Sequence, residues 1–305
     1  MPGHVPVLRQ EAVRLLVTDP GGTYLDATLG LGGHSREIVA ALGGEEARVI
    51  AMDCDPAAVE RARANPPAPP HRFTAIRGRF SEIEHVLGEL GITGVHGLLA
   101  DLGISSDQLD DPARGLSFAQ DGPLDMRLDP SLPMTADAWI RGSDDRALEL
   151  ALTSYGELPR PRAAARAIRR AASEHHPLTT RTLREALQPI YPGPSRPRRI
   201  AQAFQALRIA VNRELEELSA LLEIAARVVL PGGTLCVIAY HSLEDRMVKT
   251  AIRPPRPMDA WVEPTPSPWV PLTPRPIRPS AEEARLNPRA SSARLRAARR
   301  KEPGT

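Results

Sequence analysis

The sequence predicts an α/β protein: a parallel, doubly wound sheet interrupted by a helical insertion. Three observations predict it. Short apolar segments alternate with helix-like ones over residues 1–101. The alternation stops over 102–202, where patterning is helical and no convincing strand is found. It returns over 203–305 with a long amphipathic stripe and an apolar strand. Strands separated by helices of this length build β-α-β units, and such units make parallel sheets. The expected division is a sheet domain from 1–101 and 203–305, and a helical domain from 102–202.

The elements follow in order. Thr23-Tyr24-Leu25-Asp26-Ala27 reads as the first strand, and a glycine loop follows it. Ser35 to Leu42 reads as a helix stopped by Gly43-Gly44. Arg48 to Met52 is a second strand, Pro56 to Ala64 a second helix, and Gly97 to Asp101 a further strand. The insertion opens with an acidic, turn-rich loop, Asp107 to Asp129. Helical segments at about 144–153, 162–173 and 180–187 come next. Phe204, Leu207, Val211, Leu215, Leu218, Leu222, Ala225 and Val229 recur at spacings of three and four, which predicts one long amphipathic helix. Pro231-Gly232-Gly233 should end it before an apolar strand, Thr234 to Tyr240. Between Arg253 and Pro279 proline is dense enough to exclude a regular core element.

Composition narrows the class. The chain has 305 residues, is 42% hydrophobic and 25% charged, and carries a net charge of +2, as a soluble globular protein does. Its longest apolar runs fall short of a membrane span, and the first residues lack a secretory profile. Two cysteines, Cys54 and Cys236, support neither a disulfide framework nor a four-thiolate zinc site. A cytoplasmic, metal-independent protein with no membrane association is the expectation. Of the 39 basic residues only Lys249 and Lys301 are lysine; the rest are arginine.

The first chemical signal is Asp26-Ala27-Thr28-Leu29-Gly30-Leu31-Gly32-Gly33-His34-Ser35, joining strand one to helix one. Glycines there let a ligand approach the backbone, and the helix start offers free N–H groups. Asp53 ends the second strand, 23 residues after Gly30, where an acid can take both hydroxyls of a ribose. The loop lacks the G-x-G-x-x-G pattern that cradles a pyrophosphate, so a nucleoside ligand without phosphates fits better. Asp101 ends a later strand on the same carboxyl edge. A nicotinamide-dependent oxidoreductase is disfavoured by that loop, and a non-catalytic RNA-binding protein by the intact set of loop and acids.

At these residues the chain resembles the bacterial RsmH (MraW) methyltransferases. The matching blocks begin with His4-Val5-Pro6-Val7-Leu8, Asp26 to Ser35, Asp53-Cys54-Asp55-Pro56 and Arg79-Phe80-Ser81. They continue with Asp101 to Asp110, Arg114 to Phe118, Asp121 to Arg127 and Tyr155-Gly156-Glu157. Phe204 to Asn212, His241 to Arg246 and Asn287-Pro288-Arg289 complete them. The resemblance implies a class I S-adenosylmethionine-dependent methyltransferase sheet with an inserted helical domain that recognises RNA. It implies methylation of the exocyclic amine of a cytidine in 16S ribosomal RNA, in the decoding region of the small subunit, and leaves a homo-oligomer open. It places Gly32, Gly33 and His34 on the cofactor, Asp53 on its ribose, and Phe80, Asp101 and Gln108 around its adenine and methionine parts. One departure is Arg198-Arg199-Ile200-Ala201, where the family usually has a His-Pro-Ala-Thr-like stretch.

A cytosine amine is a weak nucleophile, so the protein must align it and accept its hydrogen bonds. The Pro-Pro-aromatic loop of DNA amino-methyltransferases is absent; the strand ends Asp101-Leu102-Gly103-Ile104. Asp125 is one candidate acceptor, with a salt bridge to Arg127 as its plain structural reading. His241 is another, a proton acceptor or else only a helix-start residue, with Ser242 and Asp245 spaced as a capping box. For RNA, Arg162, Arg166 and Arg169 share a helix face beside Arg160 and Arg170, with no acid between Glu157 and Glu174. Arg289, Arg294, Arg296, Arg299 and Arg300 are a second basic cluster, and the family resemblance implies a last edge strand there with outward arginines.

Overall fold

The computed structural model describes residues 6–254 and 267–302. His4-Val5 of the first matched block and residues 255–266 of the proline-rich stretch lie outside them. The order is α1 (Arg9–Leu16), β1 (Thr23–Asp26), α2 (Gly33–Ala41), β2 (Arg48–Asp53), α3 (Pro56–Ala64), β3 (Phe73–Arg77), α4 (Ile83–Glu89) and β4 (Val95–Asp101). Then come α5 (Ser106–Asp110), α6 (Ala136–Gly142), α7 (Asp145–Ser154), α8 (Pro161–Glu174), α9 (Thr180–Leu187) and α10 (Arg196–Asn212). α11 (Glu214–Val228), β5 (Val229–Ala239), α12 (Ser242–Ile252), β6 (Trp269–Pro271), α13 (Ala281–Leu286) and β7 (Arg294–Arg300) close the chain.

Two compact units result, Met1–Gly103 with Glu216–Thr305, and Ile104–Leu215. The first holds a seven-stranded sheet of order β3-β2-β1-β4-β5-β7-β6. β3 to β5 run parallel; β7 is antiparallel to both β5 and β6. The parallel strands read as unbroken apolar runs because both faces are covered. Leu25, Ile50, Met52, Leu98, Ala100, Leu235 and Val237 pack with α4, α11 and α12. Their neighbours Tyr24, Val49, Ala51, Leu99, Cys236 and Ile238 pack on the other face with α1, α2 and α3. Alternate residues therefore serve opposite cores, and truncating a fully buried leucine such as Leu98 would cost about 2–5 kcal/mol.

The second unit is helical, with no strand among its described residues. Leu148, Leu152, Ile168, Leu183, Phe204 and Leu207 meet in its core. The expected boundary at residue 202 falls instead after Leu215, because α10 belongs to this core. The single long helix expected from Phe204 to Val229 is two. Arg213 breaks it in the left-handed region, with φ 55°. The apolar stripe continues across the break, so periodicity alone hides it. Asn212 explains its position: Nδ2 donates to the Met126 carbonyl at 2.7 Å and Oδ1 accepts from Leu128 N at 2.7 Å.

Three further expectations change. β3 was not foreseen, being five residues with a polar alternation. The proline-rich stretch supplies β6, a three-residue edge strand on which Pro271 is tolerated. β7 is then an interior strand rather than the edge. Two of its arginines do not point freely outward: Arg296 Nε donates to Asp245 at 2.7 Å, and Arg294 lies 3.6 Å from the same carboxylate.

A left-handed arginine is strained, and Arg213 is exposed. Arg213→Gly should raise stability by about 0.5–1 kcal/mol, the relieved strain less the entropy glycine adds to the unfolded chain. Denaturant unfolding checks this; a loss of stability would show that the arginine side chain itself holds the break.

Candidate cofactor site at the carboxyl edge of the sheet

The site is built outward from the end of β1. Asp26 is fully buried, and its Oδ2 accepts from Ser35 Oγ, in the first turn of α2, at 2.6 Å. Its Oδ1 accepts from Thr28 N at 3.1 Å. Thr28 Oγ1 in turn accepts from Asp101 N at 2.7 Å, tying the loop to the end of β4. On the other side Leu29 N donates to Met52 O at 2.8 Å, tying it to β2.

The glycines divide by purpose. Gly30 has φ 51° and Gly32, the N-cap of α2, has φ 74°, a region that favours glycine. A side chain at Gly30 would meet nothing closer than 3.9 Å, so its bare backbone faces open space. A side chain at Gly33 would lie 2.3 Å from the Pro6 ring. Gly33 is therefore glycine for close packing against Pro6, a reason unrelated to the ligand contact expected of it.

Asp53, at the end of β2, accepts from Gly30 N at 2.7 Å through Oδ2 and from Asp55 N at 2.9 Å through Oδ1. Burial pushes its carboxyl up to about 6, against the pull of those two N–H donors. Asp55 caps α3 through Ala57 N at 3.1 Å, with Pro56 as the first helical residue. Phe80 sits in a single 3-10 turn, partly buried against the core under α4. Glu217 clamps that turn, taking Ser81 N at 3.1 Å and Arg79 Nε at 3.1 Å.

Asp101 receives Tyr240 Oη at 2.8 Å on Oδ1, while Oδ2 lies 3.4 Å from His34 Nε2. That second contact is a charge contact, out of line for a hydrogen bond. His34 is 5% exposed, and neither ring nitrogen has a hydrogen-bond partner. Burial alone would lower its pKa; the Asp101, Asp26 and Glu37 carboxylates outweigh burial and raise it. Burial and the Asp101 charge drive the Tyr240 hydroxyl up, so it stays a donor.

Of the expected residues, Gly32, Gly33, His34, Asp53, Phe80 and Asp101 all lie on the unit that carries the sheet, Asp53 and Asp101 at the ends of β2 and β4 and Gly32 to His34 at the start of α2. Gln108 lies in the helical unit, in α5, where its Oε1 accepts from Ser105 N at 3.0 Å as half of a capping box. Asp125 is held by Arg127 through both oxygens, each at 2.7 Å, which is the salt-bridge reading. His241 is the N-cap of α12: Nδ1 accepts from Glu244 N at 3.4 Å and Glu244 Oε2 accepts from His241 N at 3.2 Å. The capping box is thus His241 with Glu244, one residue earlier than the expected Ser242 with Asp245. Tyr240 and Thr28 were missed; a tyrosine ending the strand opposite Asp101 was the available signal.

A parallel sheet with an antiparallel β7 between β5 and β6, a glycine loop after β1 and a ribose-type acid after β2 define a class I S-adenosylmethionine-dependent methyltransferase. The residues fit that cofactor. Its ribose has two donors for Asp53, and the orphaned nitrogens of His34 sit beside Asp101. The MraW methylase family matches residues 1–301, and the chain belongs to that family. A relative from Sorangium cellulosum, named ribosomal RNA small subunit methyltransferase H, is 47% identical over 97% of this chain and 90% of its own. Relatives of the same name from Thermomicrobium roseum and Aromatoleum aromaticum are 46% and 43% identical, over 97% and 98% of this chain and 93% and 97% of theirs.

Arg169, one of the three arginines expected on RNA, is engaged. Its Nε donates to Asp145 at 3.0 Å, and its remaining nitrogens donate to the carbonyls of Ile140 and Ser143. Arg169→Ala should cost about 1.5–3 kcal/mol, since it strands two carbonyls. Thermal unfolding at fixed salt checks this, and an unshifted midpoint would return Arg169 to the RNA candidates.

The raised Asp53 gives a second expectation. A ribose diol prefers the ionised carboxylate, so affinity for S-adenosylmethionine should be level above about pH 6 and fall below it. The loss should approach tenfold per pH unit, because the complex holds Asp53 ionised and the free protein does not. Calorimetry from pH 5 to 8 on the protein and on Asp53→Asn decides. The variant should bind weakly with no step at pH 6, and a step retained in it would move the titration to His34.

Proposed function

We propose that this protein transfers a methyl group from S-adenosylmethionine to the exocyclic nitrogen of a cytidine in 16S ribosomal RNA of the small subunit, in the cytoplasm. The observation that carries the reading is the Asp53 carboxylate, half-buried at the end of β2 and bonded to Gly30 N at 2.7 Å, in a chain of the MraW methylase family. The relatives' name supports ribosomal RNA as substrate. No helix among the described residues is long and apolar enough to cross a membrane.

The cofactor supplies a methyl on a positively charged sulfur. Asp53 would hold the ribose through its hydroxyls, the Gly30–Gly32 backbone would admit the nucleoside closely, and Phe80 would lie beside its adenine. Asp101, fixed by Tyr240 and Thr28, would receive the methionine end together with His34. What remains is alignment of the amine, which gains most from a rigid frame. The proton released on methylation leaves to solvent, since a methylated cytosinium amine is strongly acidic. Asp125 and His241, the two acceptor candidates, have local partners that account for them, and the reading assigns them to loop and helix geometry.

The cysteines bear on the product. Methylation at carbon 5 of cytosine needs a thiolate that attacks the ring. Cys236 is fully buried inside β5, and burial drives its thiol up, so it cannot serve. Cys54 follows Asp53 on the cofactor side of the sheet. A Cys54→Ser, Cys236→Ser variant should still methylate RNA at a rate within a few-fold of the parent. Mass spectrometry of digested nucleosides should place the methyl on the cytosine amine. A mark on carbon 5, or one that vanishes with the cysteines while cofactor binding survives, would overturn the chemistry.

A further inference from the structure

The first described residues are tied to the last part of the chain. Leu8 is fully buried and, as the N-cap of α1, takes φ 51° and ψ 35°, a left-handed conformation that leucine rarely adopts unless its surroundings hold it. Its N–H donates to Glu283 Oε1 at 2.7 Å, across 275 residues of sequence. Glu283 stands in the first turn of α13, where its own N–H donates to Oγ of the cap residue Ser280 at 3.0 Å. α13 has no buried residue, so it adds little to the core by packing; what it contributes here is a carboxylate. A second tie, Arg9 Nη1 on Glu37 at 3.0 Å, joins α1 to α2, but both side chains are more than a third exposed, and such a pair is worth little.

The strap so anchored bears on the cofactor loop. Two residues before Leu8, the Pro6 ring occupies the space that a side chain on Gly33 would need. Gly33 opens α2, and Ser35, two residues on, is bonded to Asp26 at 2.6 Å. The turn from Gly32 to Ser35 is therefore gripped from within by Asp26 and covered from outside by Pro6. Asp26 fixes the inner side whether or not the strap is in place. The outer side rests on residues 6–8, whose firm anchor is Glu283. A loop held on one side must be ordered each time a ligand arrives, and that ordering is subtracted from affinity. A bond that served the fold alone would change unfolding when lost and leave cofactor affinity as it was.

We propose that Glu283 is a positioning residue for S-adenosylmethionine: its carboxylate holds Leu8, and Leu8 holds Pro6 against Gly33 at the start of α2. The proposal rests on the assignment of that cofactor to the loop. It adds a residue from the far end of the sequence to those on which cofactor affinity depends, one that acts through the backbone of Leu8.

The test is calorimetry of S-adenosylmethionine binding to the full chain, with unfolding followed in parallel. Glu283→Ala should weaken binding by about 3–10-fold, one hydrogen bond's worth passed on to the loop. Glu283→Gln keeps an acceptor oxygen and should stay within about twofold of the parent. Hydrogen exchange in peptides covering residues 30–38 of the free protein should quicken in the alanine variant and return to the parent rate in the glutamine variant. In turnover the KM for S-adenosylmethionine should rise while kcat and the KM for RNA hold, since the reacting groups are untouched. Unchanged affinity in a folded alanine variant overturns the proposal whatever happens to its stability, and so does a glutamine variant as weak as the alanine one. If the alanine variant does not fold, Pro6→Ala decides. It leaves the Leu8 bond in place, removes the ring from Gly33 and should bring the same loss of affinity; an unchanged affinity there overturns the proposal. Binding is read without RNA, so failure here leaves the proposed function standing. A parent protein that binds the cofactor and forms no methylated cytidine would instead remove that function.

Discussion

The site depends on one buried carboxylate. Asp26 has no exposed surface, and burial raises its pKa. A carboxylate in that position is tolerable only with its lone pairs filled. Ser35 and Thr28 fill them, so filling the acid fixes the start of α2 and the turn of the loop. Thr28 then hands the constraint to Asp101 through its hydroxyl, and Leu29 hands it to β2 through Met52. Asp53, Asp101 and the glycine backbone are bonded to a loop whose course Asp26 fixes from beneath. Pro6 against Gly33 closes the loop from outside. This is preorganisation by hydrogen-bond satisfaction, with strain confined to glycine positions.

The same arrangement selects a cofactor by charge. Asp26, Asp53 and Asp101 crowd the carboxyl edge around the single imidazole of His34. Burial raises the pKa of Asp26 and Asp53, and the neighbouring acids add to the rise. A pyrophosphate placed there would meet three acids and one histidine. A ligand carrying a sulfonium and an ammonium meets the opposite field. The electrostatics thus argue for a cationic nucleoside independently of the missing pyrophosphate glycines.

Legibility in the sequence followed the physics of each element. The strands covered on both faces were plain, since burial on two sides demands continuous apolar residues. So were α3 and α9, where Pro56 and Thr180 mark the starts. The break at Arg213 was hidden because its cause is tertiary: Asn212 turns to hold the 126–128 loop, and the apolar spacing is undisturbed. β3 and β6 were hidden because edge strands need only one ladder and tolerate polar residues and proline. In the site, Asp53 and the loop were legible from position alone. Tyr240 was not, because its role appears only when β5 lies beside β4. Gly33 was expected on the cofactor from its place in the loop; its packing against the Pro6 ring appears only in the fold.

Arginine shows where sequence counting ends. An arginine-rich chain could be read as an RNA binder everywhere. The structure removes those with local work: Arg127 on Asp125, Arg208 on Glu214, Arg227 on Glu84, Arg296 on Asp245, and Arg169 on Asp145 and two carbonyls. These are partnered cations whose removal would cost stability rather than affinity. Of what is left, Arg162, Arg166 and Arg170 are exposed along α8. The sequence supplies no acid beside them between Glu157 and Glu174. A free cation on a surface means little by itself, because most are simply solvated.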